Sequence, residues 1–226
     1  MKVFNKRFRN FWAEEKSLTI LLFILVLHIF VIIPIGQRTI LAETIFLIFY
    51  AALLSAGLFL LVKNTKLRML LVFILVFLLL LGSDFFFTSV SLGVIDDSIA
   101  VLYCIMLGWV VLLRTFSEGP VTIHRIQGAI VVYLLVSLAF ALLYHSIYLL
   151  NTQTAFKNLS SFDRKEFMYF SLTTLTTVGY GDITPALAST RSLANIEALV
   201  GQLYPAILIA RLVSMEFESS KMSKEK

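Results

Sequence analysis

Charge is scarce in this chain. Only 15% of its 226 residues are Asp, Glu, Lys or Arg, while 59% are hydrophobic and the mean hydropathy is +0.90. A soluble domain of this length could not hide that much apolar surface in one core, so a water-soluble globular protein is excluded. Cysteine is nearly missing as well: Cys104 stands alone within an apolar block, which rules out an intrachain disulfide and says nothing of redox compartment. There is neither a nucleophile–base set nor a metal-ligand cluster, so an enzyme is not expected. The first apolar run is too long for a signal peptide and no small-residue cleavage site follows it. The net charge of +5 does not point to nucleic acid, because the basic residues sit in short clusters between apolar blocks, as membrane topology requires.

What the chain has is long hydrophobic runs. Each covers roughly 18 to 28 residues, enough to cross a ~30 Å hydrocarbon layer at ~1.5 Å per residue. Six spans are predicted, near residues 18–35, 39–62, 67–87, 99–116, 123–150 and 187–213. Ahead of them, Phe4, Phe8, Phe11 and Trp12 recur at helical spacing, with Lys2, Lys6 and Arg9 directed elsewhere. That pattern favours an amphipathic helix over 1–16, lying among anionic headgroups, over a solvated basic tail. Ser117, Glu118, Gly119 and Pro120 mark the main internal boundary. The expected organisation is thus an interfacial helix (1–16), a four-helix membrane domain (17–118) and a unit over 119–226. With both termini cytoplasmic, the outside holds only Arg38, Lys157, Arg164, Lys165 and Arg191 of the 19 basic residues, together with Asp84, Asp96, Asp97 and Asp182. The positive-inside rule is met.

Residues 151–185, between the last two spans, are less apolar. Asp163 with Glu166 three positions on is a capping-box start, predicting a helix of about 14 residues over 163–176. That is too short to span, so it must enter and stop partway. Irregular backbone follows it at membrane depth, which is tolerated only where it is buried in protein or lines a watery path. Gly179 and Gly181 can take left-handed backbone angles, and alternating them with Val178 and Tyr180 lets successive carbonyls face one side of an extended strand. Four such strands around an axis would stack oxygen rings able to replace the water shell of a potassium ion, the Thr177 hydroxyl adding a lower ring. Val178 and Tyr180 are expected to pack against the short helix, whose partly negative C-terminal end would aim at the ion path.

The run Thr176-Thr177-Val178-Gly179-Tyr180-Gly181-Asp182 resembles the signature of tetrameric potassium channels, in the context of outer helix, pore helix and inner helix. The resemblance implies an all-α integral membrane fold, a homotetramer in the cell membrane among lipids, potassium as permeating ion at Thr177, Val178, Gly179, Tyr180 and Gly181, and no cofactor. It also implies roles for single residues. Tyr169 and Phe170 stand where the family has an aromatic cuff around the filter; Tyr169 can reach Asp182, whereas Phe170 has no donor for Tyr180. Thr173 replaces a glutamate of some bacterial members; with Thr174 and Thr176 it either compensates or bonds its own helix. Gly201 falls at the gating-hinge position, with Pro205 four residues on, or it is a close-packing site between helices.

Glu197, at membrane depth, has three readings: buried behind the filter on pore-helix threonines, facing the ion path, or near the outer interface. The fourth span holds only Arg114, so strong voltage gating is not expected. With 13 residues after Val213, regulation is expected from the membrane, pH, the filter or an unidentified regulatory chain. His28 and His145, in apolar spans, are more readily satisfied locally than proton-sensing. The alternative to a channel is a non-conducting regulatory or structural membrane protein that keeps the pore fold.

Overall fold

The structure, a computed structural model, describes residues 16–35, 90–116, 122–151, 154–159 and 164–224. The expected interfacial helix over 1–16, apart from Lys16 itself, the spans at 39–62 and 67–87, the boundary at 117–120 and the Asp163 cap lie outside the described residues. In chain order the elements are α1 (Lys16–Leu27), a π-helical turn (His28–Ile32), α2 (Ile33–Ile35), α3 (Val90–Thr115), α4 (Ile123–Leu150), β1 (Phe156–Lys157), α5 (Arg164–Leu175), β2 (Thr184–Pro185) and α6 (Ala188–Lys224).

Helix α4 is the hub, against which α1, α3, α5 and α6 all pack. Its 28 residues hold no proline and contain a membrane-length window with a mean hydropathy of 2.4, so beyond its polar first turns it is apolar on most sides, as a helix packed against several others must be. It starts at Thr122 in extended backbone and coincides with the fifth predicted span. Along α1, Leu18, Leu21, Leu25, Ile29 and Ile32 form the buried stripe, and Thr19 Oγ1 donates to Gln127 Oε1 of α4 at 2.6 Å. The wide turn at His28–Ile32 precedes Pro34, whose missing N–H cannot serve the Phe30 carbonyl; Ile33 N–H bonds the His28 carbonyl instead.

Two helices outrun their expected limits. Helix α3 begins at Val90 rather than near 99. The Asp96–Asp97 pair reads as the end of an apolar run, yet Asp97 is fully buried and matched: His145 Nδ1 lies 2.6 Å from Oδ2, Ser146 Oγ donates to it at 3.2 Å, and Arg164 reaches Oδ1 at 3.4 Å and Asp96 at 3.1 Å. Paired in this way, the carboxylates no longer force the helix to stop. Helix α6 is apolar over Ala188–Met215 but stays helical to Lys224, where Glu, Met and Lys propagate it. Among the described residues, three helices, Gly93–Thr115, Ile123–Leu150 and Ala188–Met215, have the length and composition to cross a membrane; Leu18–Ile32 is a shorter apolar helix.

Two short strands escaped the sequence reading. Phe156 and Lys157 pair antiparallel with Pro185 and Thr184, and Thr190 Oγ1 donates to the Ala155 carbonyl at 3.1 Å. These bonds tie the segment entering α5 to the segment leaving the TVGYGD run.

Candidate functional site

Helix α5 is 12 residues long and buries Phe167, Met168, Phe170, Ser171 and Leu175. Its C-terminus is closed by the run that follows. Thr177 N–H donates to the Thr174 carbonyl at 3.0 Å and Val178 N–H to the Thr173 carbonyl at 2.9 Å, with Thr177 at φ 58°. This is a Schellman cap whose left-handed position holds a β-branched residue instead of the usual glycine. Such a conformation costs about 1–3 kcal/mol and persists only where its surroundings enforce it.

From Thr177 to Gly181 the sign of φ alternates at every step. Thr177, Gly179 and Gly181 have φ of 58°, 52° and 80°, while Val178 and Tyr180 between them stay at negative φ. The left-handed angles expected at Gly179 and Gly181 are present, and Thr177 adds a third. In a strand successive carbonyls point to opposite sides, whereas alternating left- and right-handed residues turns successive peptide groups to the same side. Glycines at 179 and 181 announced this; the left-handed Thr177 had no signal in its residue type.

Each predicted support residue has a definite place. Tyr169 Oη donates to Asp182 Oδ2 at 2.7 Å, and its ring lies parallel to Tyr180 at 6.4 Å. The bond holds the Asp182 carboxyl below the ordinary carboxylate range and raises the Tyr169 phenol to about 12. Phe170 turns inward, edge-on to Tyr144 and Phe156 at 5.0 and 5.2 Å. Thr173 and Thr176 bond the Phe170 and Leu172 carbonyls of their own helix, the self-satisfied alternative. Val178 and Tyr180, expected to pack on α5, are 53% and 72% exposed in the single chain, despite the ring contact with Tyr169.

Helix α6 runs unbroken through Gly201 and Pro205. Gly201 is buried, and a Cβ there would run into the Leu175 carbonyl at the end of α5, so in this structure it is a close-packing site. The same carbonyl accepts the Tyr133 hydroxyl at 3.1 Å, and Tyr204 donates to the Ala129 carbonyl at 2.8 Å. Glu197 takes the first of its three readings with different partners. It is fully buried behind α5; Tyr144 Oη donates to Oε2 at 2.6 Å, and Ser171 Oγ lies 2.5 Å from Oε1. Serine rather than threonine serves it. The signal was available, since Ser171 lies on the Phe167–Leu175 stripe at four-residue spacing.

Against this geometry, the comparisons with known proteins agree. A family model described as ion channel matches residues 129–218, from α4 through the TVGYGD run into α6. Protein LctB of Bacillus caldotenax is 30% identical over 137 residues, covering 58% of this chain and 95% of that protein. No solved structure matches the chain at a significant level. The chain belongs to the ion-channel family, and it is a membrane protein.

Proposed function

We propose that the chain is one subunit of a homotetrameric channel that conducts potassium selectively and passively across the cell membrane. The observation that carries this is the residue-by-residue alternation of backbone hand from Thr177 to Gly181, directly after a half-length helix. Four such segments would offer rings of carbonyls at the spacing and field that suit potassium over sodium. Two further features support assembly. The apolar face of α6 carrying Ile196, Leu199, Leu203 and Ile207 is exposed in one chain, and so are Val178 and Tyr180 beside the proposed path. Neighbouring copies and lipid would cover them, with both termini cytoplasmic.

Opening is shallow in voltage on this reading. Among the described residues of α3 the basic group is Arg114, in its last turn, and steep gating needs three or four charges per subunit crossing the field.

The test is the purified protein in liposomes under a potassium gradient, beside Gly179→Ala. A Cβ at φ 52° meets no neighbour within the chain but costs about 1–2 kcal/mol of backbone strain, which is small for folding and large for ring geometry. The wild type passes potassium; the variant assembles as a tetramer and does not. A variant that conducts like wild type would place the filter elsewhere.

A further inference from the structure

The hydrogen bonds around Glu197 can be counted proton by proton. Ser171 Oγ has three neighbours: the Ser137 carbonyl at 2.7 Å, Ser137 Oγ at 3.0 Å and Glu197 Oε1 at 2.5 Å. A hydroxyl owns one proton and two lone pairs. The Ser137 carbonyl can only accept, and so could an ionised Glu197, but one Ser171 proton cannot serve both; giving it to the carbonyl is the assignment that satisfies all three contacts. The two remaining neighbours must then donate to Ser171. Ser137 can do so with its hydroxyl. Glu197 can do so only if Oε1 carries a proton. The other carboxyl oxygen already accepts from Tyr144 at 2.6 Å, which completes the set: four protons, each with one acceptor.

Burial leads to the same assignment. Glu197, Ser171, Ser137 and Tyr144 are all at 0% exposure. An ionised carboxylate at membrane depth is costly unless a cation or water meets it, and among the described residues no ion pair includes Glu197. A neutral acid needs no such partner. It is also the one form that can both give a proton to α5 and take one from α4.

We infer that Glu197 is a neutral carboxylic acid whose proton is held by Ser171, making it the positioning residue that pins the pore helix α5 between α4 and α6. It acts on the proposed filter through α5: Ser171 lies two and three residues before Thr173 and Thr174, whose carbonyls form the cap that sets Thr177 and Val178. The functional consequence, though not the protonation state, rests on the channel reading above.

The experiment uses the full chain reconstituted in lipid at neutral pH. Infrared difference spectra between wild type and Glu197→Gln report the carbonyl stretch of a protonated carboxylic acid, and the expected result is such a band present in wild type and missing in the variant. Glutamine can donate through its amide to Ser171 and accept from Tyr144, so Glu197→Gln is expected to keep the tetramer and wild-type potassium flux. Glu197→Ala, which removes one donor to Ser171 and the acceptor of the Tyr144 hydroxyl, is expected to lose about tenfold or more in flux. No difference in the acid band, or a Glu197→Gln variant as impaired as Glu197→Ala, would overturn the inference. A wild type that shows the band but passes no potassium would sustain this assignment while removing the functional reading.

Discussion

Two tyrosines reach two carboxyl groups on either side of α5, and the bonds have nearly the same length. Tyr144 to Glu197 is 2.6 Å and Tyr169 to Asp182 is 2.7 Å. Their surroundings are opposites. Tyr144 and Glu197 are fully buried among three helices, whereas Tyr169 is 36% exposed and Asp182 is exposed beside the TVGYGD run. A bond that water can replace contributes little when it breaks; a buried partner left alone costs the full desolvation of its group. The inner joint is therefore structural, and the outer one acts on the position and charge of Asp182.

The largest expected effect lies on the inner side. In Gly201→Ala the new Cβ meets the Leu175 carbonyl, a backbone atom that cannot swing aside, so α6 must move off α5. Overpacking of this kind costs about 1–3 kcal/mol or more, and here the upper end is expected, seen as loss of the proposed tetramer in size-exclusion chromatography. A variant that assembles and melts like wild type would remove the close approach from the account.

Next comes Tyr144→Phe, which leaves Glu197 Oε2 without its donor. The expected loss is about 1–3 kcal/mol for a buried unsatisfied acceptor. The lower end is favoured because hydrogen bonds between membrane helices average ~0.6 kcal/mol. Thermal unfolding in detergent measures it.

The smallest effect is that of Tyr169→Phe, expected to leave the melting temperature unchanged within error. Its signature is in pH. Asp182 is held below the ordinary carboxylate range and Tyr169 is raised to about 12, so the bond favours ionised Asp182 and neutral Tyr169. Its contribution is present above the ordinary carboxylate value of ~4 and fades as pH falls through the lowered one. On the alkaline side it lasts until Tyr169 ionises at about 12. Flux against pH should therefore lose part of its acid-side dependence in Tyr169→Phe, and equal acid-side profiles would make the outer bond irrelevant to conduction.

The contrast between the two joints also marks what could be read from residues alone. The outer bond was legible because Tyr169 and Asp182 bracket a motif of fixed geometry. The limits of α4 were legible because Gly119 and Pro120 precede it and its apolar run gives way to Asn151 just after Leu150. The inner joint was half legible. A carboxyl group inside an apolar helix demands a partner, but four hydroxyl-bearing residues of α5 could have met it, and helix rotation decided for Ser171. The start of α3 was missed because two adjacent aspartates read as a loop until His145 and Arg164 are brought against them. The β1–β2 pair was missed because two-residue strands carry no periodicity.

The central claim is selectivity, and the reversal potential tests it most directly. Single-channel or macroscopic currents from the reconstituted protein, with potassium on one side and sodium on the other, are expected to reverse close to the potassium equilibrium potential. A reversal near zero would mean that the alternating backbone at Thr177–Gly181 does not discriminate between the ions, and would contradict the account.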